Sequence, residues 1–186
     1  MISFKYLFNT DVSQIVEELS QAEELWDEHT YRTEGYISPH RHTSDIFVRF
    51  NPVDNYKDDF SLFNVPHLSA WYEGAKLLPS VKKLALELMA QLGGEILGGV
   101  LMTRLPPGKE IYNHIDGGFH AGFYDKFLVN IKCNQDQAFV FDEGNLINAV
   151  GDVSWFRNDV NHAVTNNSDE ERISLIVCIK TEKEFQ

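Results

Sequence analysis

From residue 96 onward the chain is interrupted too often to form long helices. Short apolar or alternating runs follow one another at 96–105, 110–116, 127–133, 138–141, 145–148, 152–156, 162–165 and 172–179. Between them stand turn-forming residues: Pro106-Pro107-Gly108, Gly117-Gly118, Glu143-Gly144, and the polar stretches 134–137, 157–161 and 166–170. Strands this short and this closely spaced predict an antiparallel sandwich or barrel. Upstream the period changes. From Asp11, a candidate N-cap, to about Trp26, the residues Val12, Ile15, Val16, Leu19 and Leu25 form one helical stripe. A second helix is predicted over 78–92, ended by Gly93-Gly94. A short strand is expected at 46–50, between loops at 27–45 and 51–66. The expected architecture is mainly β with flanking helices, the helical part at about 1–95 and the β core at about 96–180. A chain of 186 residues fits one domain, 1–186, with a core large enough to need no staples.

Charge narrows the partners. Asp and Glu outnumber Lys and Arg by 28 to 16. A nucleic-acid coat needs clustered cations, as does adhesion to an anionic membrane, so neither partner is expected. No apolar run approaches the ~20 residues of a membrane span, and the first ten residues lack the apolar stretch of a signal peptide. Cys133 and Cys178 lie in strand-like runs with no paired spacing and read as free thiols, which fits a reducing, cytoplasmic setting.

The chemistry concentrates in the second half. In a strand, residues i and i+2 share a face, so His114 and Asp116 of Tyr112-Asn113-His114-Ile115-Asp116 present an imidazole and a carboxylate together. His162 opens a later strand, and Arg172-Ile173-Ser174 opens the next one. If those two strands pair as a hairpin, Arg172 falls nearly opposite His162. Two imidazoles and one carboxylate form the facial triad of non-haem Fe(II) oxygenases, which leaves metal positions open for a 2-oxo acid and O2. The far carboxylate of 2-oxoglutarate then needs a cation, and the planar fork of Arg172 meets a carboxylate bidentately. Ser174 is placed to add a hydrogen bond.

These residues resemble the HxD…H…RxS pattern of the 2-oxoglutarate- and Fe(II)-dependent dioxygenases. More narrowly, the chain resembles the aspartyl/asparaginyl β-hydroxylase-like family, which includes free proline hydroxylases. The matching stretches are Arg104-Leu105-Pro106-Pro107-Gly108 leading to His114, Gly151-Asp152-Val153-Ser154-Trp155-Phe156, Asn161-His162-Ala163-Val164-Thr165-Asn166, and the region around Pro39-His40-Arg41-His42. The resemblance implies a double-stranded β-helix, the cupin-like jelly roll. It implies His114, Asp116 and His162 as iron ligands and catalytic centre, with Arg172, Ser174 and Lys126 as cosubstrate contacts. It implies hydroxylation of a small amino acid or an amino-acid side chain, free or in a peptide, with release of succinate and CO2. Peptide β-hydroxylases of this family lack the acidic ligand; Asp116 moves this chain towards the three-ligand members.

Other residues carry weaker expectations. Arg41, Thr43, Arg49 and His120 are candidate substrate contacts, with Tyr124 and Asn130 as further pocket residues and Phe119, Phe123, Phe139 and Phe141 as walls. His40 and His42 have metal-like spacing but sit in a loop with no matching further ligands, so they read as a substrate-contacting or solvated loop. Two other functions remain open: a cupin-like Zn²⁺ or Mn²⁺ isomerase or hydrolase, against which Arg172-x-Ser174 speaks, and a non-catalytic β-sandwich binding module.

Overall fold

A computed structural model describes residues 2–34, 37–182 and 185. Residues 35 and 36, inside the expected 27–45 loop, lie outside the described residues. The strands form two antiparallel sheets. The larger has the order β1 (Phe4–Asn9), β9 (Asp152–Phe156), β6 (Asp125–Lys132), β11 (Arg172–Thr181), β4 (Gly94–Leu105), β2 (Ser44–Phe50) and β3 (Ala70–Trp71). The smaller has the order β5 (Glu110–His114), β10 (His162–Asn166), β7 (Gln137–Phe141) and β8 (Gly144–Leu146). This is the mainly-β jelly roll the strand pattern and the resemblance led to.

Alternation along the central strands sorts the residues between two environments. On β11, Ile173, Leu175, Val177 and Ile179 join an outer apolar core, while Arg172, Ser174, Ile176 and Cys178 face the space between the sheets. On β6, Phe127, Val129 and Ile131 point outward, and Lys126 and Leu128 inward. Helices α1 (Ser13–Ser20) and α2 (Pro79–Leu92) close the outer face. They bury Ile15 and Leu19 from the first, and Val81, Leu84, Ala85, Leu88 and Leu92 from the second. Gly93 takes the left-handed conformation, φ 69°, that ends α2. Gly94 must be small, because a Cβ there would lie 2.3 Å from Ile179 Cγ2.

Several elements differ from the sequence reading. The first helix stops at Ser20 and a separate 3-10 turn covers Glu23–Leu25. The Asp11 carboxylate accepts from the Ser13 N–H at 2.9 Å, although Val12 is the residue at the helix boundary. Strand β1 lies outside the expected strands; it pairs with β9 at the sheet edge, where its residues are half-buried or exposed and show no clean alternation. Helix α3 (Gly118–Phe123) replaces part of an expected turn. Strand β5 ends at His114, so Asp116 lies beyond it.

One correction concerns the site itself. Strands β10 and β11 do not form a hairpin: β10 pairs with β5 and β7, and β11 pairs with β4 and β6. The connection crosses from one sheet to the other. Asn166 holds the crossing, its side-chain amide donating to the carbonyls of Leu105, Pro106 and Glu170 at 2.8–3.1 Å. Arg172 and His162 therefore meet across the barrel interior and not along a ladder.

Candidate metal centre and anion pocket

The ends of two neighbouring strands bring the imidazoles together. His114 closes β5, His162 opens β10, and the two are register partners with ring centroids 4.4 Å apart. Each Nδ1 is 2.7 or 2.9 Å from the carbonyl oxygen two residues upstream, Tyr112 for His114 and Val160 for His162. A carbonyl only accepts, so Nδ1 carries the proton and Nε2 keeps its lone pair. A carbonyl accepting from the far ring nitrogen orients metal-binding histidines in this way. Asp116 is held by its own N–H, which donates to Asn158 O at 3.0 Å. Its carboxylate oxygens lie 3.6 Å from His114 Nε2 and 3.8 Å from His162 Nε2. Lys126 Nζ donates to Asp116 Oδ2 at 2.5 Å. Burial opposes ionisation of Asp116, yet the charge and hydrogen bond of Lys126 hold its carboxyl well below the usual range. Burial is also the main reason His162 stays neutral.

A third imidazole arrives from the first half. The Tyr112 N–H donates to Pro39 O at 3.0 Å, which ties the 38–43 loop to β5. That tie sets His40 against His114, centroids 4.8 Å apart. Ligand atoms of His40, His114 and Asp116 all lie within 4.8 Å of one another. The sequence reading placed His40 in a loop without further ligands; folding supplies them. His40 Nε2 faces Arg32 Nη1 at 3.4 Å. Burial, then the Arg32 charge, push the His40 imidazole far below its ordinary range. Arg32 itself is pinned, donating to both carboxylate oxygens of buried Asp45 at 2.6 and 2.9 Å. No sequence pattern marked Arg32.

Arg32, His40, His114, Asp116, Lys126 and His162 line a cavity of about 250 Å³ between the sheets. Among its lining residues Arg172, 6% exposed, donates from Nη2 to Asn130 Oδ1 at 3.0 Å. Among the described residues no carboxylate pairs with this guanidinium. Burial lowers its pKa to about 10. Beside it, Ser174 Oγ and Asn130 Nδ2 are buried without hydrogen-bond partners. A buried cation and two orphaned polar atoms form a site shaped for an anion with several acceptor oxygens.

Another part of the lining is aromatic. Phe47, Phe50 and Phe63 pack with centroids 4.8–6.0 Å apart, and Phe50 lies 4.5 Å from His120. Asn64 pins this wall to α3, with its Nδ2 donating to Gly117 O and its Oδ1 accepting from the His120 N–H. A Cβ on Gly118, φ +81°, would lie 2.3 Å from Asn64 Nδ2. His67 Nδ1 donates to Val65 O at 2.7 Å, so His120 must donate from Nε2 to His67 Nε2, 3.0 Å away. Burial, then His67 and Lys126, hold His120 down at about 3.

The residues singled out from sequence thus divide. His114, Asp116, His162, Lys126, Arg172, Ser174, His120 and Phe139 line the one cavity, with Asn130 behind Arg172. Phe141 belongs to the apolar packing beneath it, beside His162. Arg41, Thr43 and Arg49 are not among the lining residues. Arg41 stacks on Tyr112, 3.8 Å to the ring centroid. Thr43 Oγ1 donates to His40 O, and Arg49 donates to Leu97 O and lies over Trp71.

No protein-family model matches the chain, and no curated protein matches it significantly. Solved structures do. A viral collagen prolyl hydroxylase from Paramecium Bursaria Chlorella virus-1, solved with 2OG, superposes with TM-score 0.57 at 12% identity, covering 98% of this chain and 97% of that one. A prolyl-4-hydroxylase from Pseudomonas putida gives 0.53 at 14% identity over 97% and 94%. A 2OG-Fe(II) oxygenase family oxidoreductase from Burkholderia pseudomallei gives 0.53 at 10% over 74% of this chain. The match spans 66% of that last protein, just under two thirds of its length. This is the fold of the 2-oxoglutarate oxygenases. At these identities the likeness is one of fold, and the chemistry must be argued from the cavity. Among the described residues no helix is long and apolar enough to cross a membrane.

Proposed function

We propose that the protein is an Fe(II)- and 2-oxoglutarate-dependent dioxygenase that hydroxylates a small amino acid or an amino-acid side chain and releases succinate and CO2. The observation that carries this reading is the pairing, in one cavity, of a converged His/Asp cluster with a buried Arg172 that has no carboxylate of its own. A metal isomerase or hydrolase needs no dicarboxylate cosubstrate to fill that second, anion-accepting pole.

His114, Asp116 and His162 are the ligand set. The Nε2 of His162 faces Asp116 and its Nδ1 is anchored on the Val160 carbonyl, whereas His40 has its Nε2 3.4 Å from Arg32 Nη1 and its buried Nδ1 without a hydrogen-bond partner among the described residues to orient the ring. Fe(II) bound at these three residues would supply O2 activation coupled to oxidative decarboxylation of 2-oxoglutarate. The chain's own part is positioning. Arg172, Ser174 Oγ and Asn130 Nδ2 grip the far carboxylate of the cosubstrate, which directs its 2-oxo acid end towards His114 and His162. The backbone carbonyls of Tyr112 and Val160 keep both imidazoles in the tautomer that offers Nε2. Phe47, Phe50 and Phe63 give the cavity an apolar wall that excludes water while substrate is bound.

The test is an anaerobic titration of the protein with Fe(II) and 2-oxoglutarate, followed by visible absorbance. A metal-to-ligand charge-transfer band should require both components, disappear in His114→Ala and His162→Ala, and persist in His40→Ala. A band that survives His162→Ala and vanishes in His40→Ala reassigns the third ligand to His40. Absence of any band in the unaltered protein overturns the reading.

A further inference from the structure

The cavity holds two cationic poles, and the cosubstrate accounts for one. Lys126 faces Cys178 across the β6–β11 ladder, whereas Asn130, the partner of Arg172, sits opposite Ser174. Four residues of strand separate Lys126 from Asn130, about 13 Å along β6. The Arg172 grip and the Lys126 ammonium therefore lie towards opposite ends of the cavity. The resemblance implied that Lys126 touches the cosubstrate; its register places it beside Asp116, away from the far-carboxylate grip.

Charge counting shows what Lys126 lacks. Its side chain is 15% exposed, and Asp116 is its one anionic partner among the described residues. Arg32 lies at the other level, bonded to Asp45 and to Thr103, the register partner of Ser174, and is already neutralised by its two bonds to Asp45. Once Asp116 serves a dication, its charge is shared with the metal. The cosubstrate's far carboxylate is spent on Arg172 and its 2-oxo acid end on the metal. Lys126 is then a mostly buried ammonium with donors left over, a costly state unless another anion arrives. Next to it the wall is apolar, with Phe47, Phe50, Gly99 and Leu101. At about 250 Å³ the cavity is below the ~300–1,000 Å³ range of drug-sized ligands, and the cosubstrate takes part of it.

We infer that Lys126 is the specificity-determining anchor for a substrate carboxylate, and that the substrate is a small carboxylic acid with an apolar body lying against Phe47 and Phe50. This inference rests on the dioxygenase reading, because it assigns Arg172 to the cosubstrate.

The experiment uses the whole chain loaded anaerobically with Fe(II) and 2-oxoglutarate. Binding of 3-phenylpropanoate and 4-methylpentanoate is compared with that of their primary amides by calorimetry and by perturbation of the charge-transfer band. The acids should bind at least tenfold more tightly than the amides. Lys126→Met, compared at saturating Fe(II) and 2-oxoglutarate, should reduce that preference below twofold; Lys126→Arg should keep the preference. Equal binding of acids and amides to the unaltered protein, or binding of neither, overturns the Lys126 assignment alone when the band is present. So does a Lys126→Met protein that loses 2-oxoglutarate yet still prefers acids. If the unaltered protein shows no band at all, the dioxygenase reading fails first and takes the assignment with it.

Discussion

The outer and inner faces of the seven-stranded sheet are made from alternate residues of the same strands, and both are buried. Outward from β11, Ile173, Leu175, Val177 and Ile179 pack against helices and neighbouring strands with no polar atom to satisfy. Inward, one residue away in each case, stand Arg172, Ser174 and Cys178, of which the guanidinium has one side-chain partner and the hydroxyl has none. The outer face gains about 1.5–3 kcal/mol for each large apolar side chain removed from water. The inner face bears unsatisfied polar groups that a purely structural core would replace. Burial by itself does not separate core from site; burial combined with unmet hydrogen bonding does.

That contrast is open to direct attack. The largest effect should come from the outer face: Leu175→Ala should cost about 2–5 kcal/mol of stability, measured by urea unfolding, while folded protein keeps its 2-oxoglutarate affinity. A stability loss below 1 kcal/mol would mean the outer face is not the main core. Arg172→Leu should do the reverse. The affinity for 2-oxoglutarate should fall about 100-fold, roughly 2.7 kcal/mol, while the Tm of the metal-free protein stays level or rises, because a buried unpaired cation has gone. A lower Tm with intact cosubstrate binding would make Arg172 a structural residue.

Acid should find the inner region before the outer one. Burial holds His120 at about 3 against the ordinary 6.5. Between those values the unfolded chain takes up a proton that the folded chain refuses. Stability from this group is therefore complete above pH 6.5 and declines as pH falls towards 3. In metal-free protein, His120→Phe should remove about 1.5 kcal/mol of the stability loss between pH 6.5 and 5. Parallel Tm curves for the two proteins over that interval would show that His120 does not sense pH. The smallest change is Ser174→Ala, expected to weaken 2-oxoglutarate binding about fivefold, roughly 1 kcal/mol, by isothermal titration. An unchanged affinity would remove the hydroxyl from the grip.

Local pattern made much of this visible. The period-2 alternation of 172–179 already put Arg172 and Ser174 on one face, and helical spacing already selected Leu84 and Leu88 for burial. The short Tyr112–Asp116 segment brought His114 and Asp116 together even though β5 ends before Asp116. The failures share a cause. The hairpin of β10 with β11 was drawn from a turn-like sequence, and turn residues show that the chain reverses, not which sheet receives it. Asn166, with its three carbonyl acceptors, sends the chain across the barrel. His40 and Arg32 belong to a loop, where no periodicity announces which side a residue faces.

The sequence by itself determined the alternation that separates apolar from polar residues, the glycine end of α2, and the chemical inventory of imidazoles, carboxylate and guanidinium. Those follow from local geometry, since a strand repeats every two residues and a helix every 3.6. Only the tertiary structure decided that the two sheets face each other and that Arg172 opposes the His114–His162 pair across a cavity. It alone set a third imidazole beside that pair and turned Lys126 to the end away from Arg172. Those relations depend on contacts between residues far apart in the chain, and such contacts are chosen by which buried faces and hydrogen-bonding groups can be satisfied together.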